Sequence, residues 1–452
     1  MRIALIEACN PDWQFKRFSY PLQLGYLASY LKKNNKIEDI IIAEELEEVF
    51  AAKPELVGIS SYSLNYDIAV DFACRIKEKL GIPVILGGCH ISALPETFDP
   101  IFDVAVTGEG EETFSQLVKL WTENGKFEPA EMEKINGIIF FDKGNTVRTA
   151  PRETTRQLDR YPPPDRTLYK IRTGSHYIST SRGCPFHCLF CAPRLMWKNS
   201  RFFSARYVMN EILGIIQQFP DKFTHLSVVD DLFIANKARL KTLRDWFVSS
   251  RLNELIILQG NVRADMIDDE MASMLADMNF KTVNFGAESG SEKILKYYNK
   301  KATAQDNKKA LEILSKHGIL SIPSFIIGAP EETEEDLDAT YNFIEENHDK
   351  MAGFEIFPLI PMPGSQMWEY AKNKGIVDNN IHWGRLEPLL LDFDPDSYFF
   401  LTEKISRDKF TEYVAKFQEL YKKYNTGAMQ FREMLIKQGA KFGIRKPKQS
   451  GE

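Results

Sequence analysis

Apolar residues in the first 140 positions fall into short continuous runs separated by longer amphipathic stretches. Arg2–Glu7, Asp39–Ala43, Leu56–Ser61, Pro83–Gly87 and Val104–Thr107 have the run length of strands covered on both faces. Between them, Pro21–Lys33 carries Leu22, Leu24, Leu27 and Leu31 at helical intervals, and Tyr66–Leu80 and Glu111–Trp121 read as further helices. Strand–helix alternation of this kind predicts a Rossmann-like, doubly wound parallel sheet, with Asn136–Phe141 as a last strand closing it. Ligands of such sheets lie beyond the carboxyl ends of the strands. Those ends read Ser60-Ser-Tyr-Ser-Leu64, Gly87-Gly-Cys-His-Ile-Ser92 and Gly108-Glu-Gly-Glu111, small or polar segments that let backbone approach a ligand closely. The first strand is followed by Ala8-Cys-Asn-Pro11 and not by a glycine-rich phosphate loop, which argues against ordinary NAD binding.

The alternation stops at Lys143–Leu168, where Pro151 and Pro162-Pro-Pro164 mark a linker, and restarts at Tyr177. Predicted strands are Tyr177–Ser181, His225–Val229, Ile256–Gln259, Thr282–Phe285, Ile322–Ile327 and Gly353–Pro358. Ala205–Gln218, Lys237–Ser250, Asp269–Asp277, Glu292–Tyr297, Ala304–His317 and Glu335–Glu346 are the helices between them. Six successive units predict a closed or partial (β/α)6 barrel resembling part of a TIM barrel, with chemistry at the strand C-termini. The expected α/β organisation is a sheet domain over 1–142, a linker over 143–168, a barrel over 169–384 and a mainly helical extension over 385–452. Ser406–Tyr424 is the long amphipathic helix of that extension, expected to cover the barrel mouth; Lys437–Glu452 reads as a mobile tail.

Length and charge narrow the classes. At 452 residues and 52.0 kDa, with 44% hydrophobic and 27% charged residues, the chain has material for two or three domains. A net charge of −6 gives no reason to expect nucleic-acid binding, and no apolar run is long enough to span a membrane. Six cysteines, three of them clustered, point to a reducing, cytoplasmic setting.

The cluster is the strongest chemical signal. Arg182-Gly-Cys-Pro-Phe-His-Cys-Leu-Phe-Cys191 places Cys184, Cys188 and Cys191 on the loop after a strand. Three thiolates can hold three irons of a [4Fe–4S] cluster, whereas such clusters normally take four cysteines, so the fourth iron is left for a small molecule. Zinc on the three thiols plus His187 would be cramped on one loop and lacks a second ligand pair downstream. A disulfide would strand one thiol, and a ferredoxin-like redox site would want a fourth cysteine nearby.

The other barrel ends are also polar or glycine-rich: Asp230-Asp231, Gln259-Gly-Asn261 with Arg263, Gly286-Ala-Glu-Ser-Gly290, Gly328-Ala-Pro330 and Pro361-Met-Pro-Gly364. Each alone is weak evidence: an Asp pair is usually a cap or turn, Glu288 reads also as a structural carboxylate, and Gly-Ala-Pro is most often a turn. Together with Cys-x3-Cys-x2-Cys, in which Phe190 precedes the last cysteine, they resemble the radical S-adenosylmethionine (SAM) superfamily. Upstream, Ser60-Ser61, Gly87-Gly88-Cys-His90 and Gly108-Glu-Gly-Glu111 resemble the cobalamin-binding domain that precedes many such enzymes.

The resemblance implies a [4Fe–4S] cluster on the three cysteines, with SAM chelating the open iron through its amine and carboxylate. Reductive cleavage then gives a 5′-deoxyadenosyl radical. It further implies SAM contacts from Asp230 and Asp231 to the amine, Glu288 and Ser289 to ribose or the amino-acid part, and Arg263 to the carboxylate. Gly328, Ala329 and Pro330 would run along the adenine, and Phe190 would shield the cluster. Cobalamin contacts are implied for Ser60, Ser61, Tyr62, Gly87, Gly88, His90, Gly108, Glu109 and Gly110. No Asp-x-His-x-x-Gly element follows the first strand, which implies cobalamin held without a histidine beneath cobalt, or a domain that has lost it.

The expected activity is cobalamin-dependent methylation of an unactivated carbon. The expected substrate is a small molecule or peptide-derived compound, and the reductant one such as flavodoxin or ferredoxin. Radical cyclisation or rearrangement without methylation, and a non-catalytic electron-transfer role, are the alternatives.

Overall fold

The computed structural model describes residues 1–9, 20–171, 174–192, 196–197, 199–220, 223–387, 390–391 and 393–425. The tail expected to be mobile lies outside them. Seven strands form the first sheet: β1 (Ile3–Glu7), β2 (Ile40–Ala43), β3 (Leu56–Ser60), β4 (Val84–Gly87), β5 (Val104–Val106), β6 (Ile138–Asp142) and β7 (Asn145–Arg148), in the order β2-β1-β3-β4-β5-β6-β7. Strands β1 to β5 are parallel, and the order reverses between β1 and β3, the crevice where such sheets take ligands. The last predicted strand is present but runs antiparallel to β5. It turns back as a hairpin into β7, inside the segment read as a linker. Three of the four residues of β7 are solvent-exposed, so no apolar run announces the strand.

Alternation along β1 explains the two helical layers. Ile3 and Leu5 pack with Leu24, Leu31, Phe114 and Leu117 on one face, while Ala4 and Ile6 join Phe72 and Ile76 on the other. That second core is continuous with Tyr298, Trp368, Trp383 and Phe399 from later in the chain, so the barrel and C-terminal region bury one side of the first sheet. The rest of the proline-rich segment is also held. Arg166 forms a buried ion pair with Glu211 at 2.6 Å, and the Tyr169 hydroxyl donates to the Pro21 carbonyl at 2.8 Å.

The second sheet comprises β8 (Ser175–Ile178), β11 (His225–Val228), β12 (Ile257–Val262), β13 (Phe280–Glu288), β14 (Leu320–Ile327) and β15 (Glu355–Pro358). All pairings are parallel, in the order β15-β14-β13-β12-β11-β8. Among the described residues β15 and β8 are not paired, which makes this a partial barrel. A short antiparallel ribbon of β9 (Ser181–Arg182) and β10 (Arg201–Phe202) closes the base of the cysteine loop. Helices start where side chains satisfy the free N–H groups: Ser204, Asp268 and Thr303 each accept from a backbone N–H of the first turn. Helix Arg407–Tyr424 packs beside β15 and the helix Glu334–Asn347, at the open edge of the sheet. Among the described residues, none from Glu387 onward lines the cavity described next, so this helix covers the sheet edge and not the mouth.

Candidate cofactor sites

A cavity of about 410 Å³ opens at the C-terminal ends of the second sheet. Its walls include Cys184, Cys188 and Cys191 with Phe186, His187 and Phe190, faced by Asp231, Asn261, Arg263, Asn284, Glu288, Lys300, Ser324 and Gln366. The cysteine loop is docked on the turn after helix Glu292–Tyr297. Leu189 N donates to the Tyr298 carbonyl at 3.0 Å, Asn299 Nδ2 to the His187 carbonyl at 2.9 Å, and the Phe190 ring meets Tyr298 edge-on at 5.1 Å. All three thiols are free. Among the described residues no three His, Cys, Asp or Glu side chains converge as one metal ion needs. Burial, then the neighbouring Cys188 and Asp231, pushes the Cys191 thiol up to about 12; burial also raises Cys184. Metal ligation takes the thiolate, so a bound cluster would have to supply the positive charge that ionises Cys191.

The acidic pair divides. Asp230 is buried and accepts from Thr180 N and Oγ1, both at 2.5 Å, and from Ser181 Oγ at 2.6 Å. It ties the exit of β8 to β11 and does not line the cavity. Asp231 does, with its carboxyl pushed up to about 6 by burial and then by Asp230, against an opposing Gly183 N–H. Asp230→Ala would strand one N–H and two hydroxyls, and a loss of about 3 kcal/mol in denaturant unfolding is expected.

Glu288 ends β13 with φ 62°, past a register shift, and its carboxylate folds back to pair with Lys300 at 2.7 Å. A Cβ at Gly286 would fall 1.8 Å from Glu288 Oε1, so the first glycine of Gly286-Ala-Glu makes room for that carboxylate. Arg263 lies 3.7 Å over the Phe186 ring, pairs with Asp265 at 2.6 Å and brings Nη1 to 4.0 Å from Cys188 Sγ, so it braces the cysteine loop as well as lining the cavity. Ser289 is buried against Thr340 at 3.0 Å, away from the cavity.

Gly328, Ala329 and Pro330 are also off the wall. The N–H groups of Gly328 and Ala329 both donate to Glu332 Oε2. Burial raises the Glu332 carboxyl from 4.5 to about 8, against the pull of those two N–H groups. Between these values the unfolded chain binds fewer protons than the folded one, so stability falls as pH rises through the window. Glu332→Gln should remove that slope: thermal unfolding at pH 6 and pH 9 should show the wild type losing more stability than the variant.

The second cavity, of about 330 Å³, lies where the first sheet meets the barrel. Ser60, Tyr62, Gly87, Gly88, Gly108, Glu109 and Gly110 line it, opposite Leu22, Tyr26 and Leu27; Ser179, Arg182, Trp197 and Val229 come from the barrel side. An added Cβ at Gly87 or Gly108 would meet nothing within 4 Å, so the cavity floor is open above these two residues. Gly88 differs: at φ 107° its added Cβ would strike Ser61 O at 2.3 Å, because the loops after β3 and β4 bond directly to each other. Ser61 and His90 are buried outside this cavity. His90 Nε2 lies 2.9 Å from Thr97 Oγ1, the ring stacks on Tyr66 at 3.9 Å, and burial lowers its pKa to about 3. No histidine lines the cavity among the described residues.

Two layers of comparison agree with this architecture. The radical SAM superfamily matches residues 178–344 and the B12 binding domain residues 15–118. An uncharacterised methyltransferase of Pyrococcus horikoshii is 30% identical over 372 residues, covering 78% of each chain. The chain therefore belongs to the radical SAM superfamily and carries a B12-binding domain. Its cofactors are those of that pairing: a [4Fe–4S] cluster, SAM and cobalamin. The anaerobic magnesium-protoporphyrin IX monomethyl ester cyclase of Rubrivivax gelatinosus is 25% identical over 380 residues, and the match covers 78% of this chain and 66% of that one. Among solved structures, the TsrM methyltransferase of Kitasatospora setae superposes with TM-score 0.67 at 20% identity, covering 83% of this chain and 77% of that one. The cobalamin-dependent SAM radical enzyme OxsB gives 0.65 at 19% identity, over 92% of this chain and 61% of that one. The chain thus spans slightly under two thirds of the cyclase and of OxsB.

Lys300, Asn284, Ser324 and Gln366 line the first cavity without having been singled out from sequence. Their signals are weak. Lys300 follows a helix in a Lys-rich turn, and its partner Glu288 lies twelve residues earlier with no periodic relation to it.

Proposed function

We propose that the protein methylates an unactivated carbon of a small-molecule or peptide-derived substrate, using both cofactors in one reaction. The observation that carries this reading is the sharing of two loops between the two cavities. Arg182 lines the cobalamin-side cavity and Cys184 the cluster-side one; Val229 lines the former and Asp231 the latter. Bound together, the cofactors supply the radical that opens a carbon–hydrogen bond and the methyl group that replaces the hydrogen.

This chain's own groups do the holding. Cys184, Cys188 and Cys191 retain the cluster. Asp231 receives the amine of SAM, Glu288 with Lys300 presents a fixed carboxylate to its ribose, and Arg263 keeps the cysteine loop stacked beside the SAM carboxylate. Phe190 shields the cluster side. Ser60, Tyr62, Gly87 and Gly108 cradle the corrin, and the apolar side chains of Leu22 and Leu27 exclude water from it. Electrons come from an external reductant of the flavodoxin or ferredoxin kind.

A ring-forming reaction is the second reading, favoured by the similarity to the Rubrivivax cyclase. Anaerobic incubation with methyl-deuterated SAM, reductant and a small-molecule extract separates the two. Methylation predicts 5′-deoxyadenosine together with a carbon-bound deuterated methyl group in one extract component. Release of 5′-deoxyadenosine with a dehydrogenated, unlabelled product would favour ring formation, and no SAM cleavage would sink both.

A further inference from the structure

We infer that Arg182, Glu111, Glu109 and Arg201 form a buried clasp that sets the position of the cluster loop against the cobalamin cavity, an inference resting on the reading that both cofactors serve one reaction. Arg182 is two residues before Cys184. It pairs across the β9–β10 ribbon with Arg201, so the two arginines close the base of the loop that carries all three cysteines. Both guanidinium groups cross to the first domain. Arg182 donates to Glu109 at 3.0 Å and to Glu111 at 2.5 Å; Arg201 donates to both oxygens of Glu109, and Trp197 Nε1 adds a further bond at 3.1 Å.

The four charged side chains are only 7–9% exposed. Arg182 sits between the rings of Tyr26 and Tyr161, at 5.4 and 5.0 Å, which leaves its planar fork little freedom. Two acids and two bases balance in charge. A buried set of this kind contributes little net stability over apolar packing, whereas removing one member leaves an uncompensated charge.

The neighbouring residues sharpen the point. Thr180 and Ser181 are tied to Asp230 in the barrel, and Arg182 to Glu109 and Glu111 in the first domain. Three consecutive residues are therefore anchored to both halves of the molecule. The next, Gly183 at φ 86°, turns tightly enough that a Cβ would lie 2.9 Å from Trp197 Cβ, and the first cluster cysteine follows. Glu109 was expected from sequence to contact cobalamin. Its two oxygens already take bonds from three donor residues, which assigns that carboxylate to the clasp. Arg182 and Glu111, which also line the cobalamin-side cavity, act as positioning residues for the loop that carries the cysteines.

Arg182→Gln and Glu111→Gln, singly and together, test this in full-length protein loaded with iron, sulfide and hydroxocobalamin. Hydrogen–deuterium exchange across residues 181–191 should accelerate about tenfold or more in each single variant, and the double variant should add little beyond Arg182→Gln, which already removes the Arg182–Glu111 contact. Pulsed electron paramagnetic resonance of cob(II)alamin and the reduced cluster should show a broader distance distribution than in the parent. Glu111→Gln leaves the Arg182–Glu109 pair in place and keeps the test available should Arg182→Gln not fold. Exchange within about twofold of the parent, or an unchanged distance distribution, would overturn the clasp. Neither readout needs substrate, so failure of methylation and failure of the clasp are told apart.

Discussion

Cys188→Ser is expected to abolish SAM cleavage, with a loss exceeding the about 10- to 100-fold that removal of an outer-shell partner costs. The half-buried Cys188 thiol stands between the other two in the loop and 4.0 Å from Arg263. Serine keeps the volume but replaces the soft thiolate that iron–sulfur clusters select. Iron content, visible absorbance and 5′-deoxyadenosine release after anaerobic reconstitution should fall together. Corrinoid binding should survive, because no cysteine of this loop lines the second cavity. Full cluster content with normal cleavage in the serine variant would refute the ligand assignment.

The second large effect is on stability. Glu288 and Lys300 are 7% and 8% exposed and paired at 2.7 Å. Glu288→Ala leaves an ammonium group buried without its partner, and a loss of about 3–5 kcal/mol in denaturant unfolding is expected. Replacing both residues, Glu288→Gln with Lys300→Met, should recover part of that loss, because no bare charge remains and the two sites are coupled. A single-variant loss under about 1 kcal/mol would mean that water already screens the pair.

What could be read in advance depended on the length scale of the signal. The three cysteines and the glycines at the strand ends are local patterns, and the barrel strands follow from apolar runs that burial on both faces demands. Which member of a polar pair faces a cavity was not local. Asp230 and Asp231 are adjacent, yet one is bonded to Thr180 and Ser181 while the other meets the cysteines; only the turn after β11 decides between them. Ser60 and Ser61 divide in the same way at the end of β3. His90 looked like a ligand contact from its glycine-rich setting, but it faces Tyr66 and Thr97 in the apolar layer behind the loop. Gly328-Ala-Pro330 resembled a ligand-facing rim; instead Glu332 holds its N–H groups, and Phe410 and Tyr398 pack over Gly328. Both cases turn on residues distant in sequence. The clasp was invisible for the same reason, since Arg182 and Glu111 are 71 positions apart.

One chain should hold a SAM-accessible cluster beside a corrinoid. Electron paramagnetic resonance of the reconstituted, reduced full-length protein tests it most directly, with metal analysis of the same sample. About four irons and one cobalt per chain are expected, with a cluster signal that shifts when SAM is added. A protein that retains no cobalt, or a cluster signal indifferent to SAM, would contradict it.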